Sequence, residues 1–188
     1  AALFRNITVS NCCIHHTNRA VSMQLRDGGS IENVTFSNLN IETGMFSKEH
    51  WWGSAEPICI TAVPRREDTK IGHIRNVTFR DINGITENGI LIYGDEHANG
   101  EKNIQNITLE NINLHLVKRT DWPKNLHDLR PSWEYPMVEG PMAVVYARHA
   151  EKIRIRGLSY EIEESMRAYV KSPCDVEDCR QVEIETWS

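Results

Sequence analysis

The stretch Asn33-Val34-Thr35-Phe36-Ser37-Asn38-Leu39-Asn40-Ile41 decides how this chain is read, because its pattern recurs. Asn6-Ile7-Thr8-Val9, Asn76-Val77-Thr78-Phe79 and Asn106-Ile107-Thr108-Leu109 repeat its opening, and Lys152-Ile153-Arg154-Ile155 and Gln181-Val182-Glu183-Ile184 are degenerate copies. Successive copies begin 27, 43, 30, 46 and 29 residues apart. Self-similarity at such a period marks a solenoid, in which each repeat buries its apolar face against its neighbours. The uneven gaps describe a coil of about 27–30 residues with two loops spliced in.

Within each copy the apolar residues alternate: Ile7 and Val9, Val34 and Phe36, Val77 and Phe79, Ile107 and Leu109, Ile153 and Ile155. Period two is strand periodicity, with the Thr between each pair facing outward. Five residues after the first Asn stands a second polar mark, Asn11, Asn38, Asp81 or Asn111, followed by another short apolar pair. Asn and Asp tolerate left-handed backbone, so this mark predicts a corner between two strands. Stacked coils place like residues over like, so both Asn columns are expected to form side-chain ladders. The four Asn-x-Thr copies also match the N-glycosylation pattern, but they open strands, where the ladder role is the better reading.

A further strand closes each coil: Ala20–Gln24, Pro57–Thr61, Gly89–Tyr93, Met142–Tyr146 and Arg167–Lys171. Three short strands per turn without an intervening helical stretch predict an all-β chain, a right-handed parallel β-helix spanning residues 1–188 as one domain. In this alignment the outward column of the closing strand runs Gln24, Thr61, Tyr93, Tyr146, Lys171, with Tyr93 over Tyr146 as a structural ladder.

A chain of 188 residues with 40% hydrophobic content supports one real core. A net charge of −5 without blocks of like charge argues against nucleic acid as partner, and no apolar run is long enough to span a membrane. No polar cap precedes Asn6, and no leader is visible. The expectation is therefore the C-terminal part of a longer solenoid, able to form homo-oligomers through its uncapped N-terminal coil. Cys12, Cys13 and Cys59 read as small apolar residues. Cys174 and Cys179 flank an acidic tetrapeptide and are read either as free thiols or as a short disulfide loop. No metal-ligand spacing occurs, and no cofactor is expected.

The order of these pieces carries a resemblance. The strand Asn6–Val9, then Arg19-Ala20-Val21-Ser22-Met23-Gln24, then Asp27-Gly28-Gly29-Ser30 and Ile31–Phe36, resembles part of the family 28 glycoside hydrolases, the polygalacturonase-like β-helix enzymes. Trp51-Trp52-Gly53, Ala55-Glu56-Pro57-Ile58, Pro64-Arg65 and Asp128-Leu129-Arg130-Pro131 are similar to a bacterial and plant branch of that family. The resemblance implies a secreted or periplasmic protein acting on pectic polysaccharide. It also implies that the paired catalytic aspartates and the histidine of such enzymes fall before Ala1. The family's Arg-Ile-Lys, which grips an acidic sugar, falls on Ser22-Met23-Gln24. Arg26 offers a cation from a neighbouring position, and a neutral or differently charged pectic sugar is expected in place of polygalacturonate.

Inverting glycoside hydrolysis needs two carboxyl groups about 6.5–9.5 Å apart. Asp27 and Asp95, two coils apart just beyond the closing strand, are the candidates in this chain, and turn formation is their alternative role. Arg26, Trp51, Trp52, Glu56 and Arg65 are the candidate substrate contacts, since indoles stack on sugar C–H faces and arginine grips carboxylates. The long excursion Val117–Glu139, carrying Trp122, His127, Asp128, Arg130, Trp133 and Tyr135, is expected to be an ordered flap. His15, His16 and His97 read as solvated. Three functions compete: a family 28 type hydrolase lacking its upstream aspartates, a noncatalytic polysaccharide-binding or structural β-helix, and a polysaccharide lyase. The last would need clustered carboxylates for Ca²⁺ and a base, and it ranks third.

Overall fold

The computed structural model describes residues 2–47, 49, 52–97, 99–134 and 136–186; Trp51 and Tyr135 of the expected binding loops lie outside them. Long and short strands alternate along the chain. The long ones are β1 (Ala2–Thr17), β3 (Gly29–Thr43), β5 (His73–Thr86), β7 (Ile104–Leu116), β11 (Ala150–Ile162) and β13 (Arg180–Thr186). The short ones are β2 (Val21–Leu25), β4 (Ile58–Ala62), β6 (Ile90–Tyr93), β10 (Ala143–Arg148) and β12 (Ser172–Glu177). Each class forms its own sheet, ordered β1-β3-β5-β7-β11-β13 and β12-β10-β6-β4-β2, and every neighbouring pair is parallel. The chain is all-β, and among the described residues the 3-10 turn Glu164–Met166 is the only helical piece.

The repeated phrase sets this register. Ile7, Val34, Val77, Ile107, Ile153 and Val182 stand side by side across six strands, and so do Val9, Phe36, Phe79, Leu109, Ile155 and Ile184. From β3 to β11 these columns turn inward, and Phe79 and Leu109 are wholly buried. Phe36 lies flat on Phe79, their rings 5.0 Å apart and within 4° of parallel. From the short-strand sheet, Val21, Ile58, Ile90, Val145 and Cys174 close the same core in one register.

Both polar marks turn the chain. Asn11, Asn38, Asp81 and Asn111 have φ of 53–59°, as expected of corners, but Asn6, Asn33, Asn76 and Asn106 do as well, at 55–59°. The first mark therefore bends the strand that it was expected to open. The degenerate copies keep the geometry, at Lys152 and Gln181, and Gly157 takes the second mark of β11. The expected ladders form: Asn33 donates to Asn6, Asn76 to Asn33 and Asn106 to Asn76, at 3.2, 3.0 and 2.7 Å. In the second column Asn38 donates to Asn11, and Asn111 to Asp81. An Asp carboxylate has no N–H to give, so no bond joins Asp81 to Asn38 and that ladder is interrupted.

Two expectations on the closing strand are corrected. The fifth copy is Ser172–Glu177, not Arg167–Lys171. Met166 of the preceding segment is wholly buried and Val170 packs partly buried against the core, but it is Cys174 and Val176 of β12 that stand beside Val145 and Ala147. Tyr146 stands beside Leu91, not over Tyr93, whose neighbour is Arg148. Burying Val145 beside Ile90 and Ala147 beside Ile92 shifts the register by two residues while preserving the alternation. The two phenol rings consequently meet edge-on at 6.4 Å and not as a ladder. Cys174 and Cys179 are both free thiols, packed against the core.

Candidate functional site

The excursion between β7 and β10 is an ordered flap. It contains an antiparallel hairpin, β8 (Leu126–Asp128) and β9 (Met137–Glu139), and covers the outer face of the short strands. Leu129 and Val138 from the flap pack on Cys59, Leu91, Tyr93 and Tyr146 in a second apolar cluster. Burial pushes the Cys59 thiol up to about 12, so it is an uncharged core group.

Two buried acids hold the insertions down. Glu87 accepts from the backbone N–H groups of Met45, Arg119 and Thr120, from the Thr120 hydroxyl, and from Lys124 Nζ at 2.7 Å. It thereby joins the insertion after β3 to the flap. Glu56, wholly buried, takes two hydrogen bonds from Arg19, Nε to Oε2 at 3.0 Å and Nη2 to Oε1 at 2.8 Å. Arg19 also donates to the Asp128 carbonyl at 2.9 Å, while the Asp128 carboxylate receives Gly53 N–H and a bidentate Arg130. Burial works against the Asp128 charge, but these donors, Arg130 first, hold its carboxyl below the usual carboxylate range. Arg130 in turn lies over the Trp52 ring, 5.5 Å from its centre. Glu56 was expected to touch substrate; sealed behind Arg19, it positions the loop that carries Trp52.

Beside this network a pocket of about 280 Å³ opens between the end of β2, the loop after β4 and the flap, lined by Gln24, Arg26, Asp27, Arg65, Phe4 and Pro131. Arg65 pairs with Asp27 at 3.0 Å, both half exposed. Arg26 is only 4% exposed; it donates to the carbonyls of Leu25 and Thr61 and to the Thr61 hydroxyl, and its Nε has no partner. Among the described residues no carboxylate pairs with it. Burial lowers its pKa to about 10, which still leaves it charged at neutral pH. Arg19, Arg26, Arg65 and Arg130 thus face Glu56, Asp27 and Asp128, and the one excess charge is that of Arg26. The Trp133 N–H bonds to the Pro64 carbonyl, and the indoles of Trp52 and Trp133 are 47% and 59% exposed.

The structure therefore brings Arg26 and Arg65 together in one pocket and sets Trp52 on Arg130, in the neighbouring network of Arg19, Glu56 and Asp128. It does not bring Asp27 and Asp95 together: Asp27 is held by Arg65, whereas Asp95 caps the Glu96 N–H two short strands away. Arg19, which organises Glu56 and Asp128, was missed because its partners lie 37 and 109 residues away. Among the described residues no group of three or more His, Cys, Asp or Glu side chains could hold a metal ion. Comparison with protein-family models, with curated proteins and with solved structures finds no match.

Proposed function

We propose that the chain is a right-handed parallel β-helix of the family 28 glycoside hydrolase type, and that it binds pectic polysaccharide without hydrolysing it. The observation that carries this reading is the buried, uncompensated guanidinium of Arg26 in a pocket near two exposed indoles. A fixed cation beside flat apolar rings suits a sugar chain bearing a carboxylate. Of the neutral or differently charged sugars expected from the Ser22-Met23-Gln24 segment, the excess charge favours an acidic unit, because the cation comes from Arg26, just past the strand. Such a protein would work where pectic polymers are found, in a secreted or periplasmic setting.

Absence of turnover follows from the acids. Asp27 is engaged by Arg65 and Asp95 by its own turn, so these two candidates are not held as a carboxylic acid and a carboxylate base facing one another across a space for water. Reducing-sugar release from polygalacturonan and rhamnogalacturonan is expected to stay at background, with Asp27→Asn and Asp95→Asn indistinguishable from the parent chain. Turnover of about one per second, abolished by either substitution, would place a hydrolytic site in this chain and overturn the proposal.

A further inference from the structure

A second face of the molecule carries polar residues that the fold does not use. Asn40, Asn83 and Asn113 stand in one register on β3, β5 and β7, next to Ser159 on β11. All three are exposed and have ordinary extended backbone, unlike the asparagines at the corners. No ladder joins them: the Ser159 hydroxyl donates to the Asn113 carbonyl oxygen, and the amides of Asn40 and Asn83 make no side-chain hydrogen bond among the described residues. Asn is depleted from strands because it fits the pleated surface poorly. Three of them stacked in mid-strand, bonded neither to each other nor to the backbone, have no structural explanation.

They line a groove of about 400 Å³ together with His15, Glu42 and Ile85. Ile85 is an exposed aliphatic side chain, 44% accessible, at the centre of that groove. The charge in it is already balanced, since Glu42 pairs with Arg119 at 2.8 Å and faces His15 at 3.7 Å. Each amide offers two donors and two lone pairs, and strand pairing repeats the set about every 4.8 Å across the sheet. An extended peptide laid along that line would advance only about 3.3 Å per residue and fall out of step. A pyranose unit is close to one strand spacing long, offers hydroxyls that donate and accept, and has C–H faces to set on Ile85. We infer that this strip binds a neutral, hydroxyl-rich glycan chain running across the strands, separately from the cationic pocket beside Trp52.

The test is an NMR titration of the whole chain with cellohexaose, β-1,4-galactohexaose and xylohexaose. At least one is expected to shift the side-chain amide signals of Asn40, Asn83 and Asn113. A triple variant, Asn40→Val, Asn83→Val and Asn113→Val, should remain folded with an unchanged or higher Tm, because Val suits strands better and offers no hydrogen-bonding group. That variant should bind the same sugar about tenfold more weakly, having lost three sets of hydrogen bonds. Its binding of acidic oligosaccharide at Trp52 should be unchanged, so failure here and failure at the cationic pocket are read separately. If none of the three sugars shifts these amides at millimolar concentration, or the variant binds as the parent does, the inference is overturned.

Discussion

Replacing Phe79 by Ala is expected to destabilise the chain by about 3–5 kcal/mol, the usual loss for a buried aromatic. Phe79 is wholly buried, with Phe36 stacked on one side and Leu109 in register on the other. Neighbouring strands cannot close over the space left behind, because the register that fixes their spacing is set by backbone hydrogen bonds. Phe36 occupies the same column but is only partly buried, so Phe36→Ala should cost distinctly less. Urea unfolding of the two variants measures both values. A loss below about 1 kcal/mol for Phe79→Ala would mean that the column does not face a packed core.

Glu87→Ala should be of similar size, about 3–5 kcal/mol, because it strands the buried Lys124 ammonium. Lys124 would keep only the carbonyls of Thr120 and Trp122 as acceptors. The amides of Met45, Arg119 and Thr120 would also lose their acceptor, and hydrogen exchange at those three positions should quicken together. Acid should reproduce the effect. Burial pushes the Glu87 carboxyl up, but Lys124 and the backbone donors outweigh it and hold the pKa below the ordinary value. A folded-state pKa below the unfolded one gives stability that is complete above about pH 4.5 and is lost as pH falls through the folded value. Glu87→Ala should therefore flatten the acid limb of the stability–pH curve, whereas a parallel downward shift of the whole curve would contradict this account.

The sheet of long strands was legible because the same four-residue phrase recurs, and its period of two assigns the faces of those strands. Asn6 and its equivalents were harder to read, since an asparagine that forms a ladder and one that also bends the chain have the same one-letter signature. The last short strand was misplaced because Arg167-Ala168-Tyr169-Val170 alternates like a strand, yet only the register with Val145 and Ala147 buries a partner. The site was legible as a set of residue types and not as contacts. Arg26, Arg65 and Trp52 were visible as a cation-rich, aromatic loop cluster. The burial of Glu56 depends on Arg19 and Asp128, brought to it by the folding of two insertions, and no local pattern encodes that.

The most direct test of the proposed function is a calorimetric titration with trigalacturonate and with its fully methyl-esterified form, in which each carboxylate is replaced by a neutral methyl ester. The acid form should bind with Kd of about 1 mM, and the ester about tenfold more weakly. Trp52→Ala and Arg65→Gln, both at half-exposed positions, should each weaken binding of the acid form without altering Tm. Equal affinity for acid and ester, or binding of the acid form that neither substitution affects, would contradict a carbohydrate site built on the unpaired charge of Arg26.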